Sequence, residues 1–139
     1  MGARRKGREL ALQALYLVDV AKFPGEKAIN TILSGADVET QIATFARKLA
    51  NGAASKWDEI TAHIVNNAKN WELSRMAALD RNILRLGIYE ILYELDTPVS
   101  VIIDEAVEIA KEFSTDDSGK FVNGILDKIK NERKAISKP

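Results

Sequence analysis

Four basic side chains lie within the first eight residues of the chain, at Arg4, Arg5, Lys6 and Arg8. The chain as a whole has a formal net charge of zero, so the remaining residues together are acidic. Charge segregated in this way predicts a basic arm that binds an anion, most simply the phosphates of a nucleic acid. The arm continues directly into an apolar helical pattern, so we expect it on a helix rather than in a free tail.

The arm also shares a helical stripe with an aromatic residue. Arg5, Arg8, Leu12 and Tyr16 follow one another at intervals of three, four and four residues, which places them on one side of a helix. On such a stripe the arginines would pair with phosphates, and the tyrosine would stack on a base or fill an interface. The alternative is a solvated basic end above a tyrosine of the core, and these residues alone favour neither.

A second aromatic residue near basic side chains is Phe121. At helical spacing it lies at the edge of an apolar arc beside Gly124 and Lys128, with Lys120 close by on the polar side. A ring flanked by lysines is a suitable platform for an unstacked base, which favours single-stranded RNA and contacts from Phe121, Lys120 and Lys128. The alternative, about equally favoured, is that Phe121 closes the edge of the core.

Catalytic and metal sites find little support in the sequence. Cysteine is absent, and the one histidine, His63, has no nucleophile near it and is expected on a partly exposed helix face. No glycine-rich phosphate loop or His/Cys cluster is present. Asp104, Glu105, Glu108 and Glu112 are expected on a solvated helix face rather than around a cation. The sequence therefore predicts a protein that is not an enzyme and has no cofactor or metal.

Length and composition are those of one globular domain. The chain has 139 residues, of which 46% are hydrophobic and 29% charged, so it can bury a core without disulfides. No apolar run is long enough to span a membrane, and the N-terminus lacks the apolar segment of a signal peptide. We therefore expect a cytoplasmic protein with no membrane contact.

Apolar residues recur at helical spacing almost throughout, and this predicts an all-α fold. In the last helix, Asn123-Gly124 is a turn signal, but the helical spacing around it is strong enough to override it. The predicted helices cover residues 4–20, a short second helix that ends at Ser34-Gly35, a third from near Asp37, a fourth around Trp57, and then 77–95, 100–113 and 118–135.

The helix predicted over residues 77–95 has apolar side chains on two opposite faces, so it is expected at the centre of the fold. Gly87 lies between the two faces. An interior glycine costs about 1 kcal/mol relative to alanine, so close approach of another helix is its expected reason. The polar stretch 66–70 is the predicted boundary between subdomains of about residues 1–67 and 68–139.

Three stretches, in order along the chain, carry a family resemblance. They are residues 4–16 (RRKGRELALQALY), 80–90 (DRNILRLGIYE) and 98–129, which ends in FVNGILDKI. Together with Trp71 and Arg75 in NWELSR, they resemble the NusB family of bacterial transcription antitermination factors. The resemblance runs essentially from end to end and implies two small helical bundles packed together.

The resemblance also implies a function. Members of the family pair with NusE, a small-subunit ribosomal protein, and the pair binds the boxA element of nascent RNA. Binding helps RNA polymerase resist termination, notably on ribosomal RNA operons. The implied partners are therefore single-stranded boxA RNA, NusE and the transcribing RNA polymerase complex.

Single residues take implied roles where they match the family's motifs. The basic arm matches an arginine-rich RNA-binding motif. Tyr16 and Asp117 match positions implicated in RNA binding or in activity of the complex, so Tyr16 is expected at the RNA or the partner. Lys120 and Phe121 match the start of the last helix, near the RNA, and Asp80 matches an acidic position on the NusE-facing side.

Two positions depart from the family's pattern. Gly7 stands where alanine is common, which predicts a less helical arm. Asp104 stands where asparagine is frequent, which adds an acid near the functional surface.

Two other functions fit parts of the sequence. A self-associating or protein-binding helical module is one, because two-sided apolar helices permit a homodimer that hides the RNA surface. The NusB-like domain that precedes the catalytic domain of RNA cytosine methyltransferases is the other, although this chain has no cysteine nucleophile.

Overall fold

Seven α-helices form the part of the chain that the computed structural model describes, residues 2–137, of which 134–137 are described by backbone alone. Within that part there is no β-strand, so the all-α prediction is confirmed. A short 3-10 turn, Leu73–Arg75, lies between the fourth and fifth helices. In chain order the helices are α1 (Gly2–Ala21), α2 (Gly25–Ser34), α3 (Thr40–Ser55), α4 (Trp57–Asn67), α5 (Ala78–Tyr93), α6 (Val99–Phe113) and α7 (Asp116–Ser137).

The helices lie where the apolar spacing of the sequence predicted them, but the predicted first residue of one helix is wrong. α3 begins at Thr40 rather than near Asp37, and Glu39 before it has an extended backbone and makes no side-chain cap hydrogen bond. Because α3 starts without a side-chain cap, the capping signal at Asp37 misplaced its first turn. α7 runs without interruption through Asn123-Gly124, as the helical spacing predicted.

α5 is the central helix, as its two apolar faces predicted. Every residue from Asn82 to Leu92 is buried, and α5 packs against α1, α3, α4, α6 and α7. Gly87 has the predicted close neighbour: a Cβ there would lie 2.9 Å from the Cδ1 of Leu126 on α7. The absence of a side chain at Gly87 therefore lets α7 lie directly against α5.

The first three helices pack on one another, and so do the last three, with α4 against α3, α5 and α7. The predicted subdomain boundary at residues 66–70 falls at the end of α4 and the irregular segment after it. A single cluster of buried apolar residues includes members of every helix on both sides of this boundary. Whether the two halves are separate folding units stays a prediction.

A polar network that the sequence did not predict joins α1 to α5. Asp19 accepts hydrogen bonds from Arg81 Nε (2.5 Å), Asn82 Nδ2 (2.9 Å) and Arg85 Nη1 (2.9 Å). Burial raises the pKa of the Asp19 carboxyl, but the bonds from Arg81 and Asn82 and the charge of Arg85 bring that pKa below its ordinary value. Asn82 and Arg85 are almost fully buried. The apolar spacing of α5 in the sequence gives no sign of these buried polar side chains.

The carbonyl end of α5 is held by one side chain of α7, Arg133. Its guanidinium donates to the main-chain oxygens of Ile91 (2.7 Å), Glu90 (2.8 Å) and Glu94 (3.0 Å) and to that of Thr97 in the following turn (2.6 Å). The last carbonyls of a helix have no partner within the helix, so this contact satisfies several at once. It fixes α7 against α5 near the C-terminal end of the described chain.

Candidate nucleic-acid interface

The basic arm is the first part of α1, and it is helical. The helix begins at Gly2 and continues through Gly7, so the prediction that Gly7 makes the arm less helical is wrong. Gly7 is buried against α3: a Cβ at this position would lie 2.6 Å from Cδ2 of Phe45. The absence of a side chain at Gly7 therefore allows α1 to pack closely on α3, and this packing holds the arm in a fixed orientation.

Arg8 does not face the solvent. Its side chain is 3% exposed, and its Nε and Nη2 donate to the two carboxylate oxygens of Glu90 on α5, at 2.9 and 2.8 Å. This bidentate pair uses the fork of the guanidinium that a phosphate would need. In this structure the partner of Arg8 is therefore a buried carboxylate of the same chain, and its contact with phosphate stays a prediction without support from the fold.

Arg5 is partly committed in the same way. Its Nε and Nη2 donate to Glu105 on α6 at 2.8 and 2.7 Å, and its side chain is 27% exposed. Glu105 is buried, so the prediction that it belongs to a solvated acidic face is wrong. The hydrogen bonds from Arg5 lower the pKa of Glu105, and the same bonds raise the pKa of Arg5. The pair thus stays ionised and neutralises one positive charge of the arm.

Arg4 and Lys6 are the arm cations that face the solvent. The guanidinium carbon of Arg4 lies 4.6 Å from the centre of the Phe45 ring, a cation–π distance. Within the described residues, neither Arg4 nor Lys6 forms a salt bridge. The structure therefore divides the arm into two exposed cations, one partly exposed arginine and one buried arginine.

Tyr16 lies in an apolar groove of about 730 Å³ that α1 forms with α2, the start of α5 and the end of α6. Tyr16 is 42% exposed, which excludes the alternative that it is a residue of the core. Phe113, the last residue of α6, is 50% exposed and lines the same groove. The lining residues are Lys6, Glu9, Leu12, Gln13, Tyr16, Leu17, Ile32, Leu79 and Phe113.

Phe121 lies in a separate cleft of about 410 Å³ between the start of α7 and the segment before α5. Its ring is half-buried and packs on the core, and it also contacts Trp71, with ring centroids 5.5 Å apart and planes at 63°. Phe121 therefore closes the edge of the core and also lines a cleft, while its role as a platform for a base stays a prediction. Asp117 lines this cleft, and Lys120 is exposed next to Phe121.

Asp80 lies in the Phe121 cleft rather than among the residues lining the Tyr16 groove. Its Oδ2 accepts a hydrogen bond from Ser118 Oγ at 2.9 Å, while its Oδ1 is buried without a hydrogen-bond partner among the described residues. The preceding residue, Leu79, lines the Tyr16 groove. The groove and the cleft are thus neighbours, separated by the start of α5 and the turn from α6 to α7.

The structure places two further residues away from these surfaces. Lys128 is exposed but does not line the Phe121 cleft, and its Nζ donates to the main-chain oxygen of Asn67 at the end of α4 (3.1 Å). His63 is partly exposed, as expected, and its Nδ1 lies 3.0 Å from Glu132. Among the described residues, no group of His, Cys, Asp and Glu side chains is arranged to hold a metal ion, and no helix is long and apolar enough to cross a membrane.

Sequence comparison relates the chain to characterised proteins over nearly its full length. The model of the NusB family matches residues 5–131. The chain is 44% identical over 137 residues to the transcription antitermination protein NusB of Geotalea daltonii, covering 93% of this chain and 94% of that protein. It is also 44% identical over 143 residues to the transcription antitermination protein NusB of Myxococcus xanthus, covering 100% of both.

Solved structures give the same relation. A structure of NusB from T. maritima is similar with a TM-score of 0.84 and 38% identity, covering 93% of this chain and 91% of that one. A chain in the crystal structure of the antitermination factors NusB and NusE in complex with double-stranded RNA is similar with a TM-score of 0.85 and 25% identity. That match covers 95% of this chain and 98% of the other.

Proposed function

The chain belongs to the NusB family, and from this premise we propose that it is an RNA-binding transcription antitermination factor. Together with NusE it binds the boxA element of nascent RNA and helps RNA polymerase resist termination on ribosomal RNA operons. Relatives that are matched over 94% and 100% of their own length are antitermination proteins, which supports this function over that of a methyltransferase domain. The role is one of binding, without catalysis or cofactor, in the cytoplasm.

The observation that most supports RNA binding is that the basic arm is helical and exposes two of its cations. Arg4 and Lys6 present two exposed positive charges on the first turns of a helix that is packed against α3 and α5. Cations on a rigid helix lose little conformational freedom when they meet phosphates, so binding is favoured over that of a free tail. Arg5 adds a guanidinium that keeps part of its surface open.

The Tyr16 groove is the proposed face for NusE. Its lining is mainly apolar, and Tyr16 and Phe113 both expose ring surface there, as a protein partner requires. Asp80 lies in the neighbouring cleft, directly after Leu79 of the groove, so a NusE that covers the groove would reach the edge of that cleft near Asp80. NusE is thus proposed to lie beside the Phe121 cleft.

A homodimer is the second candidate, because the same apolar groove would be covered by another copy of the chain. The two functions differ in what happens when NusE is added. If NusE and a second copy compete for the groove, a dimer seen by mass measurement at several protein concentrations dissociates as NusE is added. A dimer that persists with NusE bound would place self-association on another surface.

The test of RNA binding is fluorescence anisotropy with a boxA-like single strand, a scrambled strand and a boxA duplex, each with and without NusE. Preference for the boxA single strand that NusE strengthens is the expected result. Preference for the duplex would move the RNA from the Phe121 cleft to a shape-recognising surface. Weak binding that is indifferent to sequence and to NusE would contradict the proposed function.

The arm is tested by the double variant Arg4→Ala/Lys6→Ala. The expected result is weaker RNA binding and a salt dependence whose log–log slope is less steep by about 1.4, since each phosphate contact to a single strand contributes about 0.7. Lys27→Ala/Lys56→Ala is the matched control, because it removes two exposed positive charges that, like Arg4 and Lys6, form no salt bridge among the described residues. Equal losses in both variants would show that net charge, not the arm, governs binding.

A further inference from the structure

We propose that Trp71 and Phe121 form the two walls of a notch that holds one unstacked base of the RNA. The inference rests on the proposed function and assigns a base-binding role to Trp71, a residue placed in the irregular segment between α4 and α5. It concerns the Phe121 cleft alone and leaves the Tyr16 groove to the protein partner.

Exposure is the first observation. Trp71 is 59% exposed, the highest value among the large apolar side chains exposed in the described part of the chain. A tryptophan contributes to stability mainly by being buried, and here its ring adds little to the core. An aromatic residue left in solvent on an otherwise well-packed helical protein points to a binding surface.

The geometry of the two rings is the second observation. Their centroids are 5.5 Å apart and their planes meet at 63°, an edge-to-face contact rather than a stack. In this contact the two rings do not overlap as in a stack, and the 59% exposure of Trp71 leaves indole surface available for a third ring. The main-chain N–H of Trp71 donates to the oxygen of Ala68 at 2.9 Å, and this turn positions the indole beside Phe121 before any ligand arrives.

Polar groups of both signs surround the notch, and a nucleotide can use both. Arg75, which is 81% exposed and lies 3.4 Å from Glu72, and exposed Lys120 beside Phe121 supply cations for phosphates. Asp117, which also lines the cleft, can accept a hydrogen bond from the amino group of a base. A base stacked on an aromatic face, with cations nearby for its phosphates, is an arrangement found in proteins that bind single strands. The cleft's volume of about 410 Å³ lies within the range of small-ligand sites. A protein partner would instead meet the larger apolar lining of the Tyr16 groove.

The central experiment combines Trp71→Ala with an RNA series in which each base of the boxA-like strand is removed in turn. One abasic position should weaken binding to the unaltered protein by about tenfold, within the range for loss of one base–aromatic stack. Trp71→Ala should lose a similar factor with the intact strand and nothing more with that abasic strand. Such non-additivity identifies the base that contacts Trp71.

Two controls separate stacking from a general effect on the cleft. Trp71→Phe keeps an aromatic face and should recover most of the affinity. Leu95→Ala removes an apolar side chain that is 49% exposed in the turn between α5 and α6, lines neither the groove nor the cleft, and should leave affinity unchanged. Both substitutions are at exposed positions, so thermal unfolding of each variant should match that of the unaltered protein within about 1–2 °C.

Fluorescence gives an independent readout. The chain has two tryptophans, so Trp57→Phe leaves Trp71 as the only one. An RNA with a boxA-like sequence should quench the emission of Trp71 at the same concentrations at which anisotropy changes. Quenching by NusE alone, without RNA, would make Trp71 a protein contact and overturn the proposal.

The outcomes distinguish this inference from the function on which it rests. RNA binding that is selective, with no loss in Trp71→Ala and no quenching, overturns the notch and leaves the antitermination role intact. Failure of the unaltered protein to bind any RNA, with or without NusE, overturns both.

Discussion

Residues of one chemical type serve different purposes within the basic arm, and burial is what separates them. Arg8 and Glu90 form a bidentate pair in which both side chains are at most 3% exposed, whereas Arg4 and Lys6 face the solvent. Removing one partner of a buried ion pair is strongly destabilising, because the remaining charge is left without a partner and without solvent. We therefore assign Arg8 to the stability of the fold and Arg4 and Lys6 to binding.

Arg8→Ala is expected to lower the free energy of unfolding by about 3–5 kcal/mol, because it leaves Glu90 buried and unpaired. Arg4→Ala is the control on the same helix, and since Arg4 is exposed its effect should stay within about 0.5 kcal/mol. Urea unfolding followed by circular dichroism measures both. A loss below about 1 kcal/mol for Arg8→Ala would mean that Glu90 finds water or takes up a proton at little cost.

The sequence shows where the arm's charges are, but not which of them are neutralised. The partners Glu90 and Glu105 lie 82 and 100 positions away from Arg8 and Arg5. Local spacing contains no signal for a contact at that separation. Glu105 in particular fits a helical acidic face in sequence, and only its bidentate pair with Arg5 of α1 reverses its assignment.

At the scale of elements, helices were predictable because apolar spacing is a local property. α5 shows this well: its two apolar faces and its glycine predicted a central helix with a close neighbour, and both are present. Contacts that depend on which side chain of another helix lies opposite were not predictable. Asn82 and Arg85 are buried because Asp19 of α1 lies opposite them.

Two glycines in helices allow a matched test of packing against propensity. In Gly87→Ala the new Cβ would lie 2.9 Å from Leu126, so crowding in the core should cost about 1–3 kcal/mol of unfolding free energy. In Gly124→Ala the new Cβ has no neighbour within 4 Å, so the gain in helix propensity should stabilise α7 by about 0.5–1 kcal/mol. Denaturant unfolding of the two variants should shift in opposite directions. A stabilised Gly87→Ala would show that α7 moves away from α5 without cost.

At the scale of the whole molecule, ion pairs near both ends of α1 join this helix to the helices packed around it. Arg5 and Arg8 near its start pair with α6 and α5, and Asp19 near its end pairs with α5. The proposed RNA surface and the contacts that hold the fold thus share one helix. Of the proposed site, the sequence singled out the arm, Tyr16 and Phe121 as binding residues, but it assigned Trp71 no such role, because Trp71 comes from an irregular segment without periodicity.

These contacts predict a fall in stability in acid. In the folded protein the pKa values of Asp19 and Glu105 lie below the ordinary values of 3.8 and 4.5. Each group therefore contributes stability in full above its ordinary pKa, and this contribution is lost as the pH falls through the lower value of the folded state. The free energy of unfolding should be constant near neutral pH and decline below about pH 4.5.

Urea unfolding at several pH values between 7 and 3 measures this decline. Asp19→Asn and Glu105→Gln should each be less stable at neutral pH and show a shallower decline, since the titrating group is absent. Glu108→Gln, on the exposed side of α6, is the control and should follow the unaltered protein. An unchanged decline in both Asp19→Asn and Glu105→Gln would attribute acid sensitivity to other carboxylates.

Arg133 has a consequence for natural variation. Its guanidinium places donors on four carbonyls around the end of α5 from a single position on α7. Lysine has one nitrogen at its tip and cannot reach four oxygens spread around a helix end, so it is no substitute despite its equal charge. In a library that carries all twenty amino acids at position 133, selection for the folded protein should retain arginine almost alone. At position 130 on the same helix, where Lys130 is half-exposed and pairs with Asp127 at the surface, many residues should be tolerated.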